Sequence, residues 1–202
     1  MDDCDDTPWD LKMSGWRSDF ARARVQLDRQ RDRLLALAGR RVTAGWTGWD
    51  AERDRWFEDI PLVLVIDDGT QLELAWQAWD GLSVTWDTID LAVGPEVIGR
   101  PHEWRPSAPE PLAAVVGRVV TEIAVTESPC FRGGDDVDFN VDPLPWHAFA
   151  GWVTSGLWIV TDGVGLHVYN GPDANGLGTV PFKPGYESAT RVSPLATFVG
   201  EG

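Results

Sequence analysis

The chain has 202 residues and a formal net charge of −15, and 43% of its residues are hydrophobic. This hydrophobic content is typical of a globular domain and argues against wholesale disorder. The acidic excess argues against a general nucleic-acid binder, which needs a basic surface, and against docking on an anionic membrane. The two cysteines, Cys4 and Cys130, have no metal-binding spacing, so we expect reduced thiols and a cytoplasmic protein.

The N-terminal region divides into an acidic segment and a basic one. Residues 1–16 are acidic and aperiodic, which predicts a mobile leader. In residues 17–41, Phe20, Leu27 and Leu34 recur every seven residues. This spacing predicts an amphipathic helix whose apolar face packs against the rest of the protein.

The predicted helix has candidate ends and a strong charge. Ser18 or Asp19 would cap its start, and Gly39 would end it in a left-handed conformation. Residues 17–41 contain eight arginines and three aspartates, a net charge of +5, whereas residues 42–202 carry −16. The sequence therefore predicts a basic helix attached to an acidic body.

After the helix, the sequence predicts β-structure. The apolar, β-branched residues 62–66 lead into the turn Asp68-Gly69, and alternating residues follow it. This order predicts a β-hairpin, and Asp80-Gly81 introduces a third strand. Residues 157–160 lead into Asp162-Gly163 in the same way, which predicts a second hairpin.

The two hairpins belong to a longer ordered match. Gly39-Arg40-Arg41-Val42-Thr43 precedes the first hairpin and Gly117-Arg118-Val119-Val120-Thr121 precedes the second. We interpret the match as an internal duplication of about 80–90 residues. The predicted fold is α+β, with two β-rich pseudo-repeats packed as a sandwich or as one curved sheet. Its predicted parts after the helix are residues 42–100, a proline-rich linker at 101–111, and residues 112–202.

The second copy is longer than the first by about 16 residues, and the surplus falls around residues 128–146. Insertions on a repeated scaffold map to loops, which often carry function. This insert contains four aspartates, and we predict that they form a binding surface: Asp135, Asp136, Asp138 and Asp142.

The aspartate spacing resembles the opening of a calcium-binding EF-hand loop. The sixth position is Val141 rather than glycine, and the twelfth is His147 rather than glutamate. The bidentate ligand is therefore missing, and we predict neither a metal ion nor a cofactor. No nucleophile elbow or phosphate-binding loop is present either. A hydrolase or metal-assisted enzyme with its site near Asp136, Asp138 and His147 stays an alternative.

Tryptophan is abundant, with 12 residues in the chain. Two closely spaced pairs could anchor a protein partner or a sugar ring if exposed: Trp46 with Trp49, and Trp76 with Trp79. We predict a non-catalytic binding protein, similar in role to immunity proteins and other stoichiometric inhibitors. Its acidic, tryptophan-containing face would hold a basic protein partner. A sugar-binding module using a tryptophan platform is a further alternative, and the sequence leaves the oligomeric state open.

Overall fold

The computed structural model of the protein describes residues 11–132, 146–171, 174–182 and 189–198. These residues are rich in antiparallel β-sheet and contain few helices. The helices are α1 (Ala23–Leu35) and α2 (Glu110–Val115), and a single 3-10 turn spans Trp146–Ala148. Neither helix in this described part of the chain has the length and apolar character required to cross a membrane.

Fifteen strands are present in the described residues. In chain order they are β1 (Leu11–Lys12), β2 (Ala21–Arg22), β3 (Val42–Asp50), β4 (Arg55–Trp56), β5 (Leu62–Ile66), β6 (Gln71–Gln77), β7 (Gly81–Trp86), β8 (Glu96–Val97), β9 (Arg100–Pro101), β10 (Glu103–Pro106), β11 (Val120–Phe131), β12 (Phe149–Thr161), β13 (Gly165–Gly171), β14 (Ala174–Gly178) and β15 (Arg191–Pro194).

Two large sheets dominate the architecture. The first has the order β10-β3-β5-β6-β7-β2, with β4 paired to the outer part of β3. The second has the order β14-β13-β12-β11-β15, and a small third sheet joins β1, β8 and β9. Both predicted Asp-Gly turns connect neighbouring antiparallel strands, one between β5 and β6 and the other between β12 and β13.

One hydrophobic core is shared by the two large sheets. Leu64 and Leu72 from the first sheet and Ile159 and Leu166 from the second are at most 1% exposed and belong to the same cluster. Burial of a side chain of this size stabilises the fold by about 1.5–3 kcal/mol. The β-branched and leucine-rich runs of the sequence therefore form strands that bury one face against the opposite sheet.

An asparagine in β14 connects the second sheet to the first by hydrogen bonds. The Oδ1 of Asn175 accepts a hydrogen bond from the Trp76 backbone N–H at 2.9 Å. Its Nδ2 donates to the backbone oxygens of Glu58, at 2.9 Å, and of Ile60, at 3.1 Å. Because Asn175 is 1% exposed, these bonds supply the partners that its buried side-chain amide requires.

Helix α1 is shorter than the predicted range 17–41. Leu27 and Leu34 are buried in the core, but Phe20 precedes the helix and contacts the ring of Trp16 at 6.1 Å. Neither Ser18 nor Asp19 caps it, because residues 21–22 pair with β7 as a strand. The Ala23 N–H then donates to the Asp80 backbone oxygen, so a tertiary contact replaces the side-chain cap.

The end of helix α1 and one of its arginines contact other parts of the chain. Gly39 has φ +85°, a left-handed conformation that favours glycine, and its N–H donates to the Val120 oxygen at 2.8 Å. Arg31 pairs with Asp28 at 2.7 Å and donates to the carbonyl oxygens of Leu195 and Phe198. The basic helix is therefore joined to the body partly by carbonyl acceptors.

The proline-rich segment 101–111 contains regular structure. Residues 103–106 form β10, which pairs with the outer side of β3, and α2 begins at Glu110 with Pro111 in its first turn. An edge strand tolerates proline because one side of its backbone needs no partner, and the first turn of a helix tolerates it for the same reason. The segment therefore completes the first sheet as well as leading to the second.

The two large sheets share an order of strands. The first contains the run β10-β3-β5-β6-β7 and the second contains β15-β11-β12-β13-β14, with matching chain order inside each run. Residues 39–42 and 117–120 also pair with each other. Val120 N–H donates to the Arg40 oxygen at 2.8 Å and Val42 N–H donates to the Arg118 oxygen at 3.0 Å. Arg40 and Val42 hold the same positions in the first segment as Arg118 and Val120 in the second. The two hydrogen bonds are therefore equivalent when residues 39–42 are exchanged with residues 117–120.

Candidate binding surface

The four aspartates chosen from the sequence, Asp135, Asp136, Asp138 and Asp142, lie outside the described residues. His147 lies in the 3-10 turn after them, and its side chain is exposed. Among the residues that the structure describes, no group of three or more histidine, cysteine, aspartate or glutamate side chains is placed to hold a metal ion.

The structure separates the four tryptophans chosen from the sequence. Trp76 is 3% exposed and belongs to the core, so its side chain is not available to a partner. Trp46 is half-buried within β3. Trp49, also half-buried, donates its indole N–H to Asp54 at 3.1 Å and lies under the guanidinium of Arg105, 4.1 Å from the ring centre.

Trp79 is the exception, with 75% of its surface exposed. It lies in the turn between β6 and β7, where Ala78 has φ +51°. Asn170 donates its Nδ2 hydrogens to the backbone oxygens of Ala78, at 2.8 Å, and of Trp79, at 3.1 Å. The turn is therefore fixed to the second sheet while its indole stays in solvent, and the four tryptophans do not form one platform.

The acidic turn residues have structural roles. Arg40 bridges Asp67 and Asp68, with nitrogen–oxygen distances of 2.7 Å to both. The hydrogen bond from Arg40 holds the pKa of the Asp67 carboxyl below its usual range. Asp68 accepts from the Thr70 N–H at 3.0 Å, and this backbone bond lowers its pKa. These carboxylates fix a hairpin turn.

His167 belongs to a buried polar network in the second sheet. The side chain is 0% exposed, and its Nε2 lies 2.8 Å from the hydroxyl of Thr126. The Ser155 hydroxyl donates to the Thr126 backbone oxygen at 3.2 Å and accepts from Ser128 at 3.0 Å. Because all four residues are buried, we assign this network to packing.

A different surface stands out at the end of the hairpin β11–β12. Strand β12 pairs with β13 only over residues 156–160, and β11 pairs with β15 only over residues 124–127. Beyond these points the two strands continue as a ribbon, in which Pro129 lies opposite Trp152 and Phe131 lies opposite Phe149. The described part of the ribbon ends on both sides of the acidic insert.

Four aromatic rings collect at this ribbon, and we name them the aromatic tip: Phe131, Trp146, Phe149 and Trp152. The ring centres of Phe149 and Trp152 are 5.5 Å apart, and those of Trp146 and Phe149 are 5.8 Å apart. Phe131 contacts Trp146 at 5.8 Å. These separations are typical of favourable aromatic pairs, so the rings hold one another in place.

Half of the aromatic tip is open to solvent. Trp146 is 48% exposed and Phe149 is 37% exposed, and Val192 on the neighbouring strand β15 is 45% exposed. Isolated exposed apolar residues are common, but a contiguous group of them marks an interaction surface. The rings are inclined to one another by 42° to 74°, so they do not form one flat strip.

An arginine lies on the aromatic tip. The guanidinium carbon of Arg191, on β15, is 3.7 Å from the ring centre of Trp152. This is a cation–π contact, in which the negative face of the indole attracts the positive guanidinium. The aromatic tip therefore accepts a cation through a ring face in this structure.

Sequence reasoning did not select these residues. Ile123, Val125, Pro129 and Phe131 are separated by even numbers of residues, with Glu127 at the position between Val125 and Pro129, and strand alternation places them on the same face of β11. That signal was available from the sequence. The pairing that brings Phe149 and Trp152 beside them crosses the acidic insert and depends on a register that residue spacing does not reveal.

The chain was compared with known proteins in three ways. No protein-family model matches it, and neither a search of curated proteins nor a search of solved structures found a match.

Proposed function

We propose that the protein is a cytoplasmic, non-catalytic binding protein that holds a basic protein partner. The observation that carries this proposal is the exposed aromatic tip, Phe131, Trp146, Phe149 and Trp152. A few residues supply most of the affinity at protein interfaces; tryptophan is prominent among them, and aromatic residues in general, phenylalanine included, are enriched in interfaces. The net charge of −15 would speed the approach of a basic partner.

The acidic insert belongs to this proposal through its position in the sequence. Phe131 and Trp146 flank residues 132–145, which include Asp135, Asp136, Asp138 and Asp142. An apolar anchor beside acidic residues is the pattern expected at an interface with a basic partner, because the anchor contributes affinity and the charges contribute specificity. In this respect the protein would act like an immunity protein or another stoichiometric inhibitor.

We also propose that the two sheets arose by internal duplication. The matching strand orders and the exchange-related bonds between residues 39–42 and 117–120 support it. The threonine hydroxyls of the two segments support it as well. Thr43 donates to the Val65 oxygen at 3.1 Å, and Thr121 donates to the Val160 oxygen at 3.3 Å. An experimental structure tests this proposal by superposing residues 39–86 on 117–178.

The duplication makes the hairpin ends of the two copies comparable. In the first copy, β3 and β4 end in a short turn, and Trp49 is covered by Arg105 and hydrogen-bonded to Asp54. In the second copy, the corresponding hairpin β11–β12 is longer and exposes Trp146 and Phe149. A scaffold that closes this end in one copy and exposes aromatic rings in the other supports a binding role for the second.

Affinity capture from native lysate tests the function. The baits are the wild-type chain, the double variant Trp146→Ala/Phe149→Ala, and Ile98→Ala as a matched control at another apolar side chain, which is 60% exposed. We expect one basic protein to bind the wild type and the control at low salt and to be lost from the double variant. Recovery should also fall at high salt, because charges steer the association.

Reconstitution of the complex from purified components completes the test. Isothermal titration calorimetry should give a one-to-one complex whose affinity falls at least tenfold in the double variant, as for two interface hot spots. Thermal unfolding of Ile98→Ala should stay close to that of the wild type, and the double variant should lose the ring contacts of the aromatic tip, about 1–3 kcal/mol, and stay folded. Recovery of no basic protein, or equal recovery by all three baits, would overturn the proposal.

A further inference from the structure

We propose that the aromatic tip selects arginine side chains of its partner by stacking their guanidinium groups on Trp146 and Phe149. This inference deepens the proposed function and rests on it, since it names the chemical group that the basic partner presents. The occupant is an arginine-rich segment of a protein. Exposed aromatic surface alone would not distinguish such a segment from an apolar one. The Arg191 guanidinium on Trp152 is the observation that points to arginine.

The first step is the internal contact of Arg191. Its guanidinium carbon is 3.7 Å from the ring centre of Trp152, closer than the corresponding distances of 4.4 Å for Arg33 over Trp86 and 4.1 Å for Arg105 over Trp49. A planar guanidinium can stack on an aromatic face, and a distance of 3.7 Å from its carbon to the ring centre places it in contact with that face. The aromatic tip therefore binds a guanidinium within the chain itself.

The rings beside Trp152 are exposed and are held in place by one another. Trp146 and Phe149 are 48% and 37% exposed, and each contacts two or more rings of the same cluster. Their positions are thus fixed before a ligand arrives, so less side-chain entropy is lost on binding. Trp152 already carries a guanidinium, whereas no cation–π contact is found on Trp146 or Phe149 among the described residues.

The third step concerns the identity of the cation. A net charge of −15 attracts arginine-rich and lysine-rich segments alike. The guanidinium is planar and weakly hydrated, so it stacks on an aromatic face at low desolvation cost, whereas the ammonium of lysine is compact and strongly hydrated. The aromatic tip therefore distinguishes two partners that the net charge alone would treat equally.

Two synthetic peptides test the inference. The first is a short arginine-rich peptide with glycine and serine spacers, and the second is its twin with every arginine replaced by lysine. Isothermal titration calorimetry at physiological salt should show the wild-type protein binding the arginine peptide about threefold to tenfold more tightly, as expected for one or two cation–π contacts.

Two variants separate aromatic stacking from apolar contact. Trp146→Leu/Phe149→Leu keeps apolar surface but removes the ring faces, so this variant should bind the arginine and lysine peptides with about equal affinity. Trp146→Phe keeps a ring, so most of the preference should remain. Equal binding of the two peptides to the wild type, no binding of either, or an unchanged preference in the leucine variant would overturn the inference.

The outcomes also separate this inference from the proposed function. If the lysate partner is lost from Trp146→Ala/Phe149→Ala but the two peptides bind equally, arginine selection is wrong and the binding role stands. If the arginine preference depends on the rings but no basic protein is captured, the binding role fails while the stacking geometry stands.

Discussion

Replacement of the buried carboxylate Glu73 should destabilise the first sheet more than any exposed substitution. Glu73 is 1% exposed. Its Oε1 accepts from the backbone N–H groups of Thr88 and Ile89, both at 2.7 Å. Its Oε2 accepts from the hydroxyls of Thr85, at 2.5 Å, and of Thr88, at 2.6 Å. One carboxylate therefore holds β6, β7 and the loop after β7 together.

The magnitude follows from what each substitution leaves unpaired. Glu73→Ala removes both acceptor oxygens and with them all four hydrogen bonds, and the two backbone N–H groups cannot reorient. A buried unsatisfied donor costs about 1–3 kcal/mol, so we expect the alanine variant to lose about 4 kcal/mol of unfolding free energy. Glu73→Gln keeps one oxygen for the backbone donors, and the threonine hydroxyls can rotate to accept from the new amide. We expect it to lose only about 1–2 kcal/mol.

Urea denaturation followed by far-UV circular dichroism measures these differences. Glu122→Ala is the matched control because Glu122 is exposed on β11 and should change stability by less than about 0.5 kcal/mol. The loss of unfolding free energy should be largest for Glu73→Ala, smaller for Glu73→Gln and smallest for Glu122→Ala. If Glu73→Ala were as stable as the control, the four hydrogen bonds would not hold the loop and the reasoning would fail.

Three further predictions concern single residues. Asp67→Asn should lose less stability than the wild type when the pH is lowered. Arg40 lowers the pKa of Asp67 in the folded state, so Asp67 contributes stability above the unfolded pKa of about 3.9, and this contribution is lost as the pH falls through the folded pKa. Chemical denaturation across pH 5 to 2 measures the difference. Asn175→Ala should lower the unfolding free energy by about 2 kcal/mol, since the buried Trp76 N–H and Ile60 oxygen lose their side-chain partner, and thermal or urea unfolding measures this. Arg191→Ala should tighten arginine-peptide binding about twofold to threefold in calorimetry, because it frees the Trp152 face and removes a like charge.

Each of these predictions has an outcome that contradicts it. Equal losses of unfolding free energy in Asp67→Asn and the wild type as the pH falls would contradict the first prediction. The Asn175 argument fails if the alanine variant unfolds at the wild-type urea concentration. Weaker peptide binding by Arg191→Ala would show that the arginine supports the aromatic tip instead of occupying it.

The local elements of the fold could be predicted from neighbouring residues. Asp68-Gly69 and Asp162-Gly163 mark turns because their backbone preferences act over a few residues, and the chain turns at both. The seven-residue spacing of Leu27 and Leu34 indicated which face of α1 is buried. The start of α1 could not be predicted, since a carbonyl oxygen of Asp80, distant in sequence, satisfies the first helical N–H.

Exposure of the tryptophans was decided by tertiary contacts. Trp76 and Trp79 are three residues apart, yet one is 3% exposed and the other 75%. The difference arises because β14 and its Asn175 lie against the end of β6, whereas β13 contacts the turn that follows only through the backbone oxygens of Ala78 and Trp79 among the hydrogen bonds described. Sequence spacing contains no information about which strand of the other sheet will lie there.

The candidate binding surface shows the same division. The sequence by itself determined that the protein is acidic, β-rich and longer in its second half near residues 128–146, because composition and turn signals are local properties. Only the tertiary structure placed Phe131 beside Trp146, Phe149 and Trp152, since the strand register of β11 and β12 sets those contacts. Burial and ring contact depend on surfaces brought together from distant parts of the chain, and this is why the tip emerged only from the folded molecule.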